Sequence, residues 1–197
     1  ITTADFYFMR DSMAILEAIN LKEAKVVNAK YDDSGKTQDD IIPYLAFHEK
    51  KTLSHFSFPE KITYIGSYAF SNTSLSGALI IPDDVTEIGG SAFYGTLIGS
   101  VAFPPRLNRI GGSAFEACTS LTGTLTLPET LTYIGYCAFM SCSFTGELHL
   151  PNSLDYIGGN AFREAGFFVG GLRIPDKITE LHGWTFACSN FYDKPFR

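Results

Sequence analysis

At 197 residues, 45% of them hydrophobic, the chain is long enough to bury a continuous core, and length alone allows one or two domains. A formal charge of −6 at pH 7 with no basic run excludes the phosphate-binding surface a nucleic-acid partner requires. No run of about 18 apolar residues exists to suggest a membrane span, and Cys118, Cys137, Cys142 and Cys188 form neither paired C-x-x-C zinc spacing nor a disulfide-built scaffold.

The sequence opens at Ile1 without a basic-then-apolar leader, so any export signal is expected to have been removed or to lie outside it. Phe6, Met9 and Met13 fall at helical spacing after a Thr/Asp start, which predicts a short helix over about Thr3 to Met13. Residues 1–15 are read as an N-terminal helical cap and 16–197 as a stack of repeats. Leu16, Ile19 and Leu21 look like the strand of a first, irregular repeat (16–58), and Ile42 with Ala46-Phe47 as its later landmarks. Its polar insertion, roughly Asn28 to Asp40, is expected to be a surface loop.

Six regular repeats follow. Pro59, Pro82, Pro104, Pro128, Pro151 and Pro175 recur at successive spacings of 23, 22, 24, 23 and 24. Phe70, Phe93, Phe115, Phe139, Phe162 and Phe186 each lie eleven positions after their proline, all but the last preceded by alanine, with Thr185 the exception. Aliphatic columns fall three positions after the proline (Ile62, Val85, Leu107, Leu131, Leu154, Ile178) and six after it (Ile65, Ile88, Ile110, Ile134, Ile157, Leu181). Ahead of each proline runs a short alternating segment, such as Thr124-Leu125-Thr126-Leu127, whose period of two marks a half-buried strand that the proline then stops. One such unit cannot bury its own apolar columns, so the units must stack and share a core. The expected architecture is a right-handed coil of short strands and turns with one parallel sheet, about 30 Å long at roughly 4.8 Å per strand.

The pattern P-x-x-[ILV]-x-x-I-G-x-x-A-F, joined by segments like Leu121-Thr122-Gly123-Thr124-Leu125-Thr126-Leu127-Pro128, resembles the BspA-type leucine-rich repeats of bacterial surface proteins, including treponemal ones. The match runs from about Leu16 to Phe186, and Asp5-Phe6-Tyr7-Phe8-Met9-Arg10-Asp11 is similar to the segment that often precedes such repeats. The resemblance implies a leucine-rich-repeat solenoid from a secreted or surface-anchored bacterial protein, often a lipoprotein, with adhesive roles toward host matrix or other cells. Thr185, Leu181-His182 and the lengthened first repeat depart from the pattern, the first two suggesting that the array frays toward Arg197. No binding residues carry over position by position.

The candidate sites have plain structural readings. Gly89-Gly90, Gly111-Gly112 and Gly158-Gly159 lack any phosphate-loop context and are expected where the chain turns tightly. His48-Glu49 begins like a zinc-peptidase helix, but Thr52 stands where the second histidine belongs. His55, His149 and His182 are scattered, so catalytic and metal-binding residues are none, and no cofactor is implied. Asp32, Asp33, Asp39 and Asp40 lack a calcium-loop register. Cys118 and Cys142, each three positions after the repeat phenylalanine, fall in neighbouring turns, close enough for a disulfide, though packed free thiols are the favoured reading.

The outward strand face remains. Asn20, Ser57, Ile80, Ala102, Thr126, His149 and Arg173 form the column nearest the prolines, with Ala18, His55, Ala78, Ser100, Thr124, Glu147 and Gly171 beside it. Tyr64, Tyr133 and Tyr156 make an exposed stripe elsewhere, expected to pack between turns. The leading expectation is a noncatalytic extracellular module that binds a protein or glycan of a host or other cell surface. A structural spacer is the alternative and an enzyme with an unrecognised site the third. Oligomeric state is left open.

Overall fold

The computed structural model describes residues 1–30 and 37–192, which form one helix, α1 (Thr3–Ser12), and sixteen short strands. In chain order the strands are β1 (Ala18–Asn20), β2 (Ala29–Lys30), β3 (Thr37–Gln38), β4 (Ile41–Ile42), β5 (His55–Ser57), β6 (Tyr64–Ile65), β7 (Ser76–Ile80) and β8 (Glu87–Ile88). There follow β9 (Leu97–Ala102), β10 (Arg109–Ile110), β11 (Leu125–Thr126), β12 (Tyr133–Ile134), β13 (Leu148–His149), β14 (Tyr156–Ile157), β15 (Phe167–Val169) and β16 (Asn190–Tyr192).

The turns stack as a parallel coil around one apolar interior. Ile42, Ile65, Ile88, Ile110, Ile134 and Ile157 pair in sequence along a six-stranded parallel sheet, β4-β6-β8-β10-β12-β14, and all are fully buried. Beside them Phe47, Phe70, Phe93, Phe115, Phe139, Phe162 and Phe186 form one file of stacked rings, with successive centroids 5.2–5.6 Å apart. Fully burying one such side chain stabilises by roughly 1.5–3 kcal/mol, and here each ring is covered only because the adjacent turn is present. Thr185 fills the last alanine position by returning its hydroxyl to the carbonyl of His182 at 2.6 Å. Burial weakens at that end, where Leu181 is 47% exposed.

Two features of the repeat set the backbone. The arm from proline to phenylalanine always advances by eleven positions, and it carries the unbroken six-stranded sheet. At the phenylalanine corner the residues two before and two after each ring are left-handed: Leu45 and Glu49, Tyr68 and Asn72, Ser91 and Gly95, Ser113 and Ala117, Cys137 and Ser141, Asn160 and Glu164, Trp184 and Cys188. A left-handed non-glycine residue costs about 1–2 kcal/mol. At the first six corners the cost is offset because this zigzag turns three amides toward the next turn, as in Ser113 to Tyr136, Phe115 to Ala138 and Ala117 to Met140 (2.7–2.9 Å). At about 0.5–1.5 kcal/mol net for each bond, the three together match the strain of the two.

The glycine pairs do lie where the chain turns tightly, in turns closed by Ala92 to Gly89, Ala114 to Gly111 and Ala161 to Gly158 (3.2–3.4 Å), but the left-handed position of each turn falls on the next residue, Ser91, Ser113 or Asn160, and not on a glycine of the pair. The glycines are needed for proximity: a Cβ at Gly66, Gly89, Gly111, Gly135 or Gly158 would stand 2.4–2.6 Å from backbone of the preceding turn.

The strands ahead of the prolines do not form the single expected sheet. They pair two by two, β1-β5, β7-β9, β11-β13 and β15-β16. This arm, from phenylalanine to proline, varies in length, with successive steps of twelve, twelve, eleven, thirteen, twelve and thirteen from Phe47 onward, and a bulge at Gly77/Ala78 absorbs the mismatch between β7 and β9.

At the N-terminal end, α1 lies across the first turn. Asp5 accepts the Thr2 amide at 2.7 Å, Tyr7 donates to the Tyr44 carbonyl at 2.9 Å, and Phe6, fully buried, meets Phe47 edge to face at 5.6 Å. The insertion is not purely loop, because β2 and β3 pair antiparallel within it. Asp39 there accepts the Asn28 amide at 2.8 Å, while Asp32 and Asp33 lie outside the described residues.

Candidate interaction surface

Alternation along the strand arm places buried Ile19, Leu79, Leu125 and Leu148 inside and leaves their neighbours outside. Asn20, Ser57, Ile80, Ala102, Thr126, His149 and Arg173 are all exposed, as are His55, Thr124 and Glu147. Neighbouring strands hold several of them side by side: Ala18 with His55, Asn20 with Ser57, Ala78 with Ser100, Ile80 with Ala102, Thr126 with His149. His149 Nε2 lies 2.8 Å from Glu147 Oε2 and His55 Nδ1 2.9 Å from Ser54 Oγ, so the polar part of the face is internally linked.

Arg173 and Gly171 depart from the expected placement. No strand covers them; β15 lies earlier in that turn, where Phe168 stacks on Phe144 at 5.9 Å and Gly166 bridges to Phe144. The columns are thus continuous only within each strand pair, and Arg173 stands on irregular chain beyond the last.

Between β5 and β7 the interruption opens a groove of about 680 Å³, lined by Phe56 to Glu60, Ala78 to Asp84 and Lys22. Phe56 and Phe58 meet edge to face at 4.9 Å beneath it, and Ile80 stands at its margin 75% exposed. Among the described residues, one backbone bond, Ser76 to Ser54 at 3.3 Å, crosses the seam. The outward position of Ile80 is readable in the sequence, whereas the groove depends on strand pairing that repeat spacing does not reveal.

The tyrosine stripe is largely covered. Tyr133 and Tyr156 stack at 4.7 Å and 9°, Arg109 lies 3.6 Å over Tyr133 while reaching Glu87 at 3.2 Å, and Tyr156 meets His182 at 4.9 Å. Tyr64, expected exposed, is buried, its hydroxyl lying over the bare backbone of Gly89. Burial raises the Glu87 carboxyl above its ordinary range, with the Arg109 guanidinium opposing the shift. Sequence reasoning missed the exposed aromatics Tyr68, Tyr136 and Trp184, since the columns they fall in, two or three positions before the repeat phenylalanine, are of mixed residue type.

Among the described residues no group of three or more His, Cys, Asp or Glu side chains is placed to hold a metal, and no helix is long and apolar enough to cross a membrane. Cys118 and Cys142 are free, buried thiols whose sulfurs donate to the carbonyls of Phe93 (3.1 Å) and Phe115 (3.2 Å) in the preceding turn. Burial pushes the Cys118 thiol up to about 11, against the opposing bond from Thr96, and pushes Cys142 well above the usual thiol range.

Residues 40–163 and 122–196 match the model of the BspA-type leucine-rich repeat region, with six copies of the repeat. A leucine-rich repeat protein from Bacteroides ovatus ATCC 8483 superposes with a TM-score of 0.50 at 24% identity, over 91% of this chain and 54% of that one, a likeness of fold. One from Eubacterium ventriosum ATCC 27560 gives a TM-score of 0.46 at 16% identity, over 98% of this chain and 64% of that one. The chain therefore spans about half to under two thirds of the length of these solved proteins. No curated protein matches it.

Proposed function

The chain belongs to the BspA-type leucine-rich-repeat family, and on that footing we propose that it is a noncatalytic interaction module, displayed outside a bacterial cell, that takes a protein or glycan of a host or neighbouring cell surface on its strand face. What carries the reading is the exposure of nine outward residues from Asn20 to His149 on a scaffold whose turns share one buried core. A surface already fixed by two inter-turn ladders loses little conformational freedom when a partner docks, which favours affinity. The columns are mostly small or polar, with Glu147 and His149 side by side late in the face, a surface suited to hydrogen bonding.

The test is binding of the folded chain to arrays of host matrix proteins, cell-surface proteins and glycans. A saturable ligand that weakens at least fivefold on Ile80→Glu, Thr126→Glu or His149→Glu, with unchanged circular dichroism, supports the strand face. Blank arrays remove the adhesive claim and leave the spacer, whose behaviour is indifferent to all three substitutions.

A further inference from the structure

We propose that the seam between β5 and β7 is the docking groove for an extended peptide segment of a partner protein, one carrying a large apolar side chain followed closely by lysine or arginine. The proposal rests on the strand-face reading above and narrows it to one place and one class of partner.

Three observations converge there. The amide of His55 donates to Glu17 and the carbonyl of Ser57 accepts from Leu21, both toward β1. By alternation, the amide and carbonyl of Phe56 between them turn the other way, into the seam, where no backbone partner meets them among the described residues. An extended chain offers the matching donors and acceptors, as in strand addition to an open sheet edge.

The second observation is apolar. Ile80, 75% exposed, is the large aliphatic residue in columns otherwise filled by small, polar or charged side chains, and it borders a groove walled by Phe56 and Phe58. That wall takes a leucine- or phenylalanine-sized group. The third is charge. Lys22 lies 4.0 Å from Glu60, and Arg106 pairs with Asp84 at 2.8 Å, which leaves Asp83 as the uncompensated charge at the proline end of the groove. A cation placed there meets an exposed carboxylate with no ion-pair partner among the described residues.

The test uses the full chain and fluorescent acetylated octapeptides in which a central residue is Leu, Phe or Ser and a residue one to three positions later is Lys, Gln or Glu, read by anisotropy. The expected result is that Leu/Phe with Lys binds at least tenfold tighter than Ser or Glu sets. Ile80→Ser and Ile80→Glu should each weaken that binding at least tenfold, Asp83→Lys should transfer the preference from Lys to Glu, and His149→Glu should change it less than twofold. Octapeptide binding indifferent to Ile80 and Asp83 overturns the seam. So does failure of every octapeptide while an array ligand still binds the chain, and in either case the broader strand-face reading stands. Failure of both octapeptides and arrays overturns the two together.

Discussion

A methyl group on Gly135 would stand 2.4 Å from the amide nitrogen of Gly112 in the preceding turn. Backbone cannot yield as a flexible side chain does, so Gly135→Ala must force apart a pair of turns that are bonded on both sides of the contact. The expected loss is about 3 kcal/mol or more, at the upper end of overpacking effects. Two other glycines calibrate it. Gly123 has open space but φ +81, so Gly123→Ala should lose about 1–2 kcal/mol to strain. Gly183 has open space and no left-handed φ, so Gly183→Ala should gain about 0.4–1 kcal/mol. Urea unfolding of the three variants ranks them, and a neutral Gly135→Ala refutes the close-approach account.

Phe139 lies between the rings of Phe115 (5.6 Å) and Phe162 (5.4 Å). Phe139→Ala should cost about 3–5 kcal/mol, and Phe139→Asp should unfold the turns on either side as well. Hydrogen exchange reads the spread: protection should fall around Phe115 and Phe162 together. Loss confined to the substituted turn would contradict a shared core.

Phe6→Ala uncovers the outer face of Phe47 and should cost a similar amount, roughly 3–5 kcal/mol. Because only the first turn loses its cover, exchange should rise first at Ile41 to Phe47 and leave Ile134 protected. Uniform loss along the array would mean that α1 does not act as a lid.

The thiols give a pH signature. Cys188 is exposed and the other three are buried, so a thiol reagent at pH 8 should label Cys188 rapidly and the rest only after denaturation. The folded Cys118 thiol ionises near 11, above its ordinary value of 9.0, so between those values the unfolded chain has released a proton that the folded chain still holds. Stability from this group is full below about pH 9 and falls as pH rises toward 11, by about 3 kcal/mol. The stability gap between wild type and Cys118→Ala should narrow accordingly from pH 8 to pH 11, and a constant gap would refute the assignment.

The stacked interior was legible because the distance from Pro59 to Phe70 recurs without change, and a fixed spacing puts Ile88, Ile110 and Ile134 in file. The outward neighbours Thr126 and His149 were legible too, since each stands two positions before its proline and alternation turns both outward. Arg173 was misplaced because two alternating runs compete in the last long arm; Phe168 reaches Phe144 and wins over Leu172 and Ile174. Tyr64 reads as exposed until its hydroxyl is seen over Gly89, which no single repeat discloses. Nor could the left-handed corner be read, because Leu45, Tyr68 and Trp184 carry none of the usual glycine or asparagine signal.

The coil has one side of constant length and one that stretches. A residue gained or lost between a phenylalanine and the next proline is taken up by a bulge or a shifted strand, as it is between β7 and β9. The same change inside the constant arm would throw its isoleucine, glycine and phenylalanine out of line with every other turn. Length variation is thereby steered to the margin that faces outward, so such a protein can remodel its contact surface by small insertions while its spine stays in step.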